Sequence, residues 1–223
     1  MSSGSCDLSI KIWNYNNMNC LKTFYNQSYV WCIVRLNNNM IASGSTHIKI
    51  WNYPNYSNNS NNTNENCIST LFFNQDYNHS LIKLESTIIV SAGQGSIEIL
   101  DYDKHVCVKY IQFNEQFERN SNLVRLNKTQ FAWGPVKLKI IDISGNILKS
   151  FDYQHVIHSM AKLNLNHIAI AYSKEIRIIN FTNGKCIKTI KVNCLDYIKQ
   201  IIKLNSNQIV SGNYDGSICI LNY

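Results

Sequence analysis

The sequence is poor in features that mark several large classes of protein. It contains only two prolines, and charged residues make up 16% of it. No apolar run approaches the roughly 20 residues of a membrane-spanning helix. The first residues also lack the basic region and apolar core of a secretory signal peptide. We therefore expect a cytoplasmic protein that is neither secreted nor embedded in a membrane, with a nuclear location left open.

The common signatures of catalytic and metal sites are missing as well. We find no Cys-x-x-Cys pair, no glycine-rich phosphate loop, no nucleophile elbow and no paired carboxylates. The eight cysteines lack the spacing of metal ligands. Without export they are expected to be reduced, and we interpret them as small buried hydrophobic side chains. The expectation is a protein that is not an enzyme, with no metal and no cofactor.

What the sequence does contain is a hairpin pattern that recurs. In Leu36–Asn52 an apolar run is followed by a Ser/Gly/Thr turn and then by Ile48 and Ile50, which alternate with Lys49. Six segments share this plan, and each ends in an apolar residue followed by Asn or Asp. The six pairs are Trp13-Asn14, Trp51-Asn52, Leu100-Asp101, Ile141-Asp142, Ile179-Asn180 and Leu221-Asn222. We expect the Asn or Asp side chain to accept the backbone N–H two residues on and close a tight turn.

Two further elements repeat in phase with the hairpin. An alternating strand follows each turn, at Cys20–Phe24, Cys67–Leu71, Cys107–Ile111, Ile147–Phe151 and Cys186–Ile190. A second strand, apolar on both faces, ends in a basic residue and leucine, as in Arg35-Leu36. Apolarity on both faces indicates sheets stacked face against face. Four strands in about 40 residues is the period of a propeller blade.

The repeated strings resemble those of the WD40 family. The resemblance is carried by Ser3-Gly-Ser-Cys-Asp-Leu-Ser-Ile-Lys-Ile-Trp-Asn14, by Ile41-Ala-Ser-Gly-Ser45 with Ile48-Lys-Ile-Trp-Asn52, and by Ser211-Gly-Asn-Tyr-Asp-Gly-Ser-Ile-Cys-Ile-Leu-Asn222. It covers nearly the whole chain and implies an all-β, WD40-like β-propeller. The family's Gly-His pair is absent, and its hairpin Asp is matched only by Asp7 and Asp215. The resemblance therefore implies that the family's buried hydrogen-bond network is incomplete in most blades.

We expect a single domain over residues 1–223. It comprises a partial repeat, 1–14, and five complete four-stranded repeats, 19–52, 66–101, 106–142, 146–180 and 185–222. The Asn-rich segment 54–66 is expected to be a mobile loop. Two arrangements stay open. In a closed five-bladed ring, Cys20–Phe24 pairs with Gly216–Leu221, and residues 8–13 have no place in a blade. The alternative is an open, incomplete six-bladed arc, whose unpaired edge strands favour self-association.

Aromatic residues recur at the entry to the strands that are apolar on both faces. Tyr29, Tyr77 and Tyr197 each lie seven residues before a strand-ending leucine, with Arg119 at the same place in another repeat. Further candidates nearby are Trp31, Asp76 and His155. By the WD40 resemblance these loops imply a protein-binding face, and aromatic and Arg side chains are favoured interface anchors. The alternative is that the rings pack between neighbouring blades. His79 and His158 lie at the start of the same strands and are interpreted as structural.

Basic residues recur at the opposite end of the same strands. They are Arg35, Lys83, Arg125, Lys162 and Lys203. Together they predict a partial cationic ring for an anion or an acidic tail. The alternative is that the side chains pack their stems and extend to water. The net charge of +7 is scattered, with no block of five like charges, so it does not by itself predict a nucleic-acid partner.

The function expected from these patterns is a non-catalytic protein-interaction scaffold of the WD-repeat type, with an unknown protein partner. Three alternatives stay open. One is a substrate-receptor-like module of a ubiquitin ligase that lacks its F-box. The others are a basic-surface nucleic-acid binder and a degenerate gene fragment without independent activity.

Overall fold

A computed structural model describes residues 1–53, 67–71, 79–93, 95–113, 122–153 and 155–223. Within these ranges the chain forms strands and turns, without a helix. The strands make six small antiparallel sheets, which are the six blades of a β-propeller. The predicted all-β propeller is therefore confirmed. The chain divides into two compact units, Met1–Arg119 and Asn120–Tyr223, with three sheets in each. The predictions for the loop 54–66 lie outside the described residues.

The first unit contains one three-stranded sheet and two four-stranded sheets. The first sheet consists of β1 (Ser2–Gly4), β2 (Ser9–Trp13) and β3 (Cys20–Tyr25). The second consists of β4 (Cys32–Arg35), β5 (Met40–Gly44), β6 (Ile48–Asn52) and β7 (Cys67–Leu71). The third consists of β8 (Ser80–Lys83), β9 (Ile88–Ala92), β10 (Ser96–Asp101) and β11 (Val106–Gln112).

The second unit mirrors this composition, with two four-stranded sheets followed by one three-stranded sheet. Its first sheet consists of β12 (Leu123–Arg125), β13 (Gln130–Trp133), β14 (Lys137–Asp142) and β15 (Ile147–Asp152). The next consists of β16 (Ser159–Lys162), β17 (His167–Tyr172), β18 (Glu175–Asn180) and β19 (Cys186–Lys191). The last consists of β20 (Ile198–Lys203), β21 (Gln208–Asn213) and β22 (Ile218–Asn222).

The strand after each Asx turn pairs with the strand just before that turn. β3 pairs with β2, with Ser9 opposite Tyr25, and the last sheet is β20-β21-β22. The proposal that Cys20–Phe24 completes the last sheet is therefore wrong, and residues 8–13 belong to the first sheet. The physical reason is that a short turn brings the following segment back beside its predecessor, with a smaller loop-closure cost than a distant strand would have.

The predicted Asx turns are confirmed at four of the six positions, and residue 54, which Asn52 would bond, lies outside the described residues. Oδ1 of Asn14 accepts the backbone N–H of Asn16 at 3.0 Å. The same bond joins Asp142 to Ser144 at 2.9 Å and Asn180 to Thr182 at 2.9 Å. Oδ1 of Asp101 likewise accepts the backbone N–H of Asp103 at 3.2 Å. In these four sheets the Asx residue therefore sets the reversal that carries the chain into the outer strand.

The core of each unit lies between neighbouring sheets. In the first unit Trp51 stacks on Phe24, with ring centroids 5.3 Å apart, so the second sheet packs on the first. In the second unit Ile140 and Ile168 belong to one buried cluster that joins two sheets. This packing agrees with the face-against-face stacking that the doubly apolar strands predicted.

The repeated cysteines are not buried, so that prediction is wrong. Cys20, Cys107 and Cys186 are exposed free thiols, and Cys67 is partly exposed. Each begins or nearly begins an outer strand, which has a neighbouring strand on one side only. The Sγ atom of Cys20 instead bonds the carbonyl of Lys22 at 3.5 Å. Position at the rim of a sheet, rather than residue type, decides the exposure.

Candidate binding surfaces

The aromatic residues predicted for binding lie where the chain enters the first strand of a sheet. In the first unit Tyr29 and Trp31 precede β4, and their rings meet edge to face with centroids 6.0 Å apart. The ring of Trp31 also lies 5.6 Å from that of His79. Tyr29 is 50% exposed and Trp31 is 45% exposed. The sequence prediction thus identifies a half-exposed aromatic pair; Asp76, Tyr77 and Arg119 lie outside the described residues.

The backbone fixes the position of this pair. The N–H of Trp31 donates to the carbonyl of Gly44 at 3.0 Å, which attaches the loop to the end of β5. The N–H of Val30, between the two aromatic residues, donates to Ser5 at 3.2 Å. Val30 itself is buried, so the chain is anchored between two outward-facing rings. The pair is held in place before any partner arrives.

In the second unit three rings form a continuous stack. Tyr197 lies between His158, at 5.0 Å and 24°, and Tyr214, at 4.8 Å and 22°. We call His158, Tyr197 and Tyr214 the ring stack. Burial and the charge of Lys199 lower the pKa of His158, which keeps its imidazole neutral at pH 7.

Sequence reasoning missed Tyr214. It lies in the turn between β21 and β22, not at the repeated entry position, and only the sheet register brings it to Tyr197. The signal in the sequence was an aromatic residue inside the Asn213-Tyr214-Asp215-Gly216 turn, a place where side chains normally face solvent. Tyr214 is 61% exposed, so it is the accessible end of the ring stack.

His155 belongs to a different cluster from the ring stack. Its ring lies 5.8 Å from that of Tyr172, which is buried and whose hydroxyl finds no hydrogen-bond partner among the described residues. The guanidinium of Arg177 lies 5.1 Å from the same ring. Burial raises the pKa of Tyr172 well above its usual value. His155 therefore covers a buried tyrosine and is exposed itself.

The predicted basic residues make hydrogen bonds to backbone carbonyls. Three lysines each donate to the leucine that directly follows the first strand of the preceding sheet: Lys83 to Leu36, Lys162 to Leu126 and Lys203 to Leu163. The two arginines bond their own turns, Arg35 to Asn37 at 3.0 Å and Arg125 to Asn127 at 3.1 Å. Each side chain thus satisfies a carbonyl beyond the end of a strand. This geometry supports a structural use of the basic residues, and anion binding stays a prediction.

Comparisons with known proteins do not add a family to this description. A search with models of known families and a search of characterised proteins both found no match to this chain. None of the described segments is a helix with the length and hydrophobicity needed to cross a bilayer. The fold is therefore assigned from the six antiparallel sheets and their register.

Proposed function

We propose that this chain is a non-catalytic, cytoplasmic protein-interaction scaffold of the WD-repeat type. The observation that carries the proposal is that each unit exposes an aromatic cluster where a first strand begins. The clusters are Tyr29 with Trp31 in one unit and the ring stack in the other. Large aromatic side chains held in fixed positions are the usual energetic anchors of protein interfaces.

The WD-repeat part of the proposal is supported by recurrent side-chain hydrogen bonds. The indole N–H of Trp51 donates to the hydroxyl of Ser43 at 2.8 Å, and Trp13 donates to Ser3 at 2.8 Å. These pairs join the two strands of the hairpins whose sequences carry the WD40 resemblance. The hairpin carboxylate of Asp7 accepts the N–H of Ser9 at 2.9 Å, as the family pattern implies.

We do not propose nucleic-acid binding as a second function. Lys83, Lys162 and Lys203 each use an N–H on a backbone carbonyl, which leaves fewer donors for a phosphate. A protein partner also fits the half-exposed rings better than an electrostatic contact that depends on salt.

The test is a quantitative pull-down of the full chain and its double variant Tyr29→Ala/Trp31→Ala. The matched control is Tyr15→Ala, because Tyr15 is an exposed tyrosine in the Asx turn after β2, away from the entry ends. We expect the double variant to lose partners that wild type and control retain, with unchanged circular dichroism. Equal recovery by all three proteins would remove the Tyr29–Trp31 pair as the binding site.

A further inference from the structure

The ring stack ends in a ring that is available for one more planar group. His158, Tyr197 and Tyr214 are close to parallel, with interplanar angles of 24° and 22°. Tyr214, the last ring, is 61% exposed. In the first unit, by contrast, Tyr29 and Trp31 meet at 83°, which does not extend a parallel series. The two aromatic surfaces therefore suit partners of different shape.

The ring stack is rigid because its two loops are bonded to each other. The N–H of Tyr214 donates to the carbonyl of Tyr197 at 2.9 Å. The N–H of Leu195 donates to Asp215 at 2.6 Å, and its carbonyl accepts the ammonium of Lys174 at 2.7 Å. A surface that is ordered in advance loses little conformational entropy on binding. This favours a specific ligand over a nonspecific contact.

Charge is distributed unevenly along the ring stack. Lys199 lies near the ring of His158, at the inner end. Exposed Asp196 and Asp215 are the chain neighbours of Tyr197 and Tyr214, and the carboxylate of Asp215 accepts the N–H groups of Leu195 and Ser217. Asp196 accepts the N–H of Tyr197 at 2.8 Å, which keeps its carboxylate beside that residue. The ammonium of Lys174, on the carbonyl of Leu195, is the positive charge in the same loop. Two carboxylates against one ammonium leave this loop negative, which favours a cation over a phosphate.

We infer that the ring stack binds an arginine side chain of the protein partner. The planar guanidinium stacks on Tyr214 and donates to the carboxylate of Asp196. A carboxylate offers about four acceptor sites, and the bond from the N–H of Tyr197 to Asp196 leaves capacity for a guanidinium. Asp215 already accepts bonds from Leu195 and Ser217, so it contributes its negative charge and not a hydrogen bond. Arginine fits better than lysine because its charge is spread over a flat group that stacks on aromatic rings. The inference rests on the proposed scaffold function and names the chemistry that one of its surfaces recognises.

The experiment titrates the full chain with the peptide Gly-Gly-Arg-Gly-Gly and with its lysine counterpart, both with blocked ends. Binding is followed by the chemical shifts of the tyrosine ring protons. We expect the arginine peptide to bind about tenfold more tightly than the lysine peptide. Tyr214→Ala should abolish this preference, Tyr214→Phe should keep it, and Asp196→Asn should weaken binding several-fold while the fold is unchanged. Tyr15→Ala is the control for an exposed tyrosine elsewhere.

The inference is overturned if the two peptides bind equally, or if Tyr214→Ala retains the preference for arginine. A single-stranded oligonucleotide in the same titration that binds more tightly than the arginine peptide also overturns it, because the ligand would then be a base. These outcomes are separate from a failure of the scaffold function. That function is tested at Tyr29 and Trp31 in the other unit, so either result can be obtained without the other.

Discussion

One hydrogen bond is present in the second sheet and missing at the equivalent place in the last sheet. Ser43 on β5 accepts the indole N–H of Trp51 at 2.8 Å. Ser211 occupies the same register on β21, but Leu221 stands where the tryptophan would be. The hydroxyl of Ser211 is fully buried and finds no hydrogen-bond partner among the described residues. The same serine-to-alanine change should therefore have opposite effects at the two sites.

The expected magnitudes follow from what each change leaves behind. Ser43→Ala leaves the indole N–H of the fully buried Trp51 without its acceptor, which costs about 1–3 kcal/mol of unfolding free energy. Ser211→Ala removes a buried hydroxyl that already lacks a partner, so stability should be unchanged or rise by about 1 kcal/mol. For a chain of this size each kcal/mol shifts Tm by about 2–4 °C.

The assay is thermal unfolding followed by circular dichroism, repeated by urea titration. Ser43→Ala should lower Tm by several degrees, and Ser211→Ala should leave Tm equal or higher. The double variant Ser43→Ala/Trp51→Phe provides a control, because it removes both partners and should cost less than the sum of the single changes. Equal losses of stability for Ser43→Ala and Ser211→Ala would refute the reasoning.

Three further predictions concern turns, pH and association. Met18 sits at φ 58° and Gly184 at φ 75° in equivalent turns. Met18→Gly should therefore raise the free energy of unfolding, measured by urea titration, by about 0.5–1 kcal/mol. Gly184→Ala should lower it, because the new Cβ would lie 2.4 Å from the ring of Phe151, and no change in either variant would contradict this. Hydrogen bonds from Ser217 and Leu195 lower the pKa of Asp215 from 3.8 to about 2. The stabilisation of the fold by Asp215 is therefore complete above pH 3.8 and is lost as the pH falls through about 2. Asp215→Asn should flatten the acid end of a plot of stability against pH, and an unchanged slope there would contradict this. Strand β22 has a single paired neighbour among the described strands, and its Ile220 is exposed. Ile220→Lys should therefore reduce any self-association seen by sedimentation equilibrium. An unchanged mass distribution would locate that association elsewhere.

Elements that depend on near neighbours in the chain were predictable before the fold was known. Alternation of apolar and polar residues gave the six hairpins, because side chains on a strand point to opposite faces with a period of two. The Asx turns followed for the same reason, since Asn14 and Asp142 bond an N–H only two residues away. The entry-end position of Tyr29, Trp31 and Tyr197 was also predictable, because it is a fixed offset within the repeat.

Contacts between groups far apart in the chain became visible only in the folded structure. The sequence left both β2 and β22 as partners for Cys20–Phe24, and the structure pairs this segment with β2. The exposure of Cys20 followed from that position at the edge of a sheet. Tyr214 joined Tyr197, and Lys162 reached the carbonyl of Leu126, through the packing of strands far apart in sequence. Repeat periodicity fixes where a residue lies within its own sheet, but contacts between loops and between sheets depend on register and packing, which the periodicity does not encode.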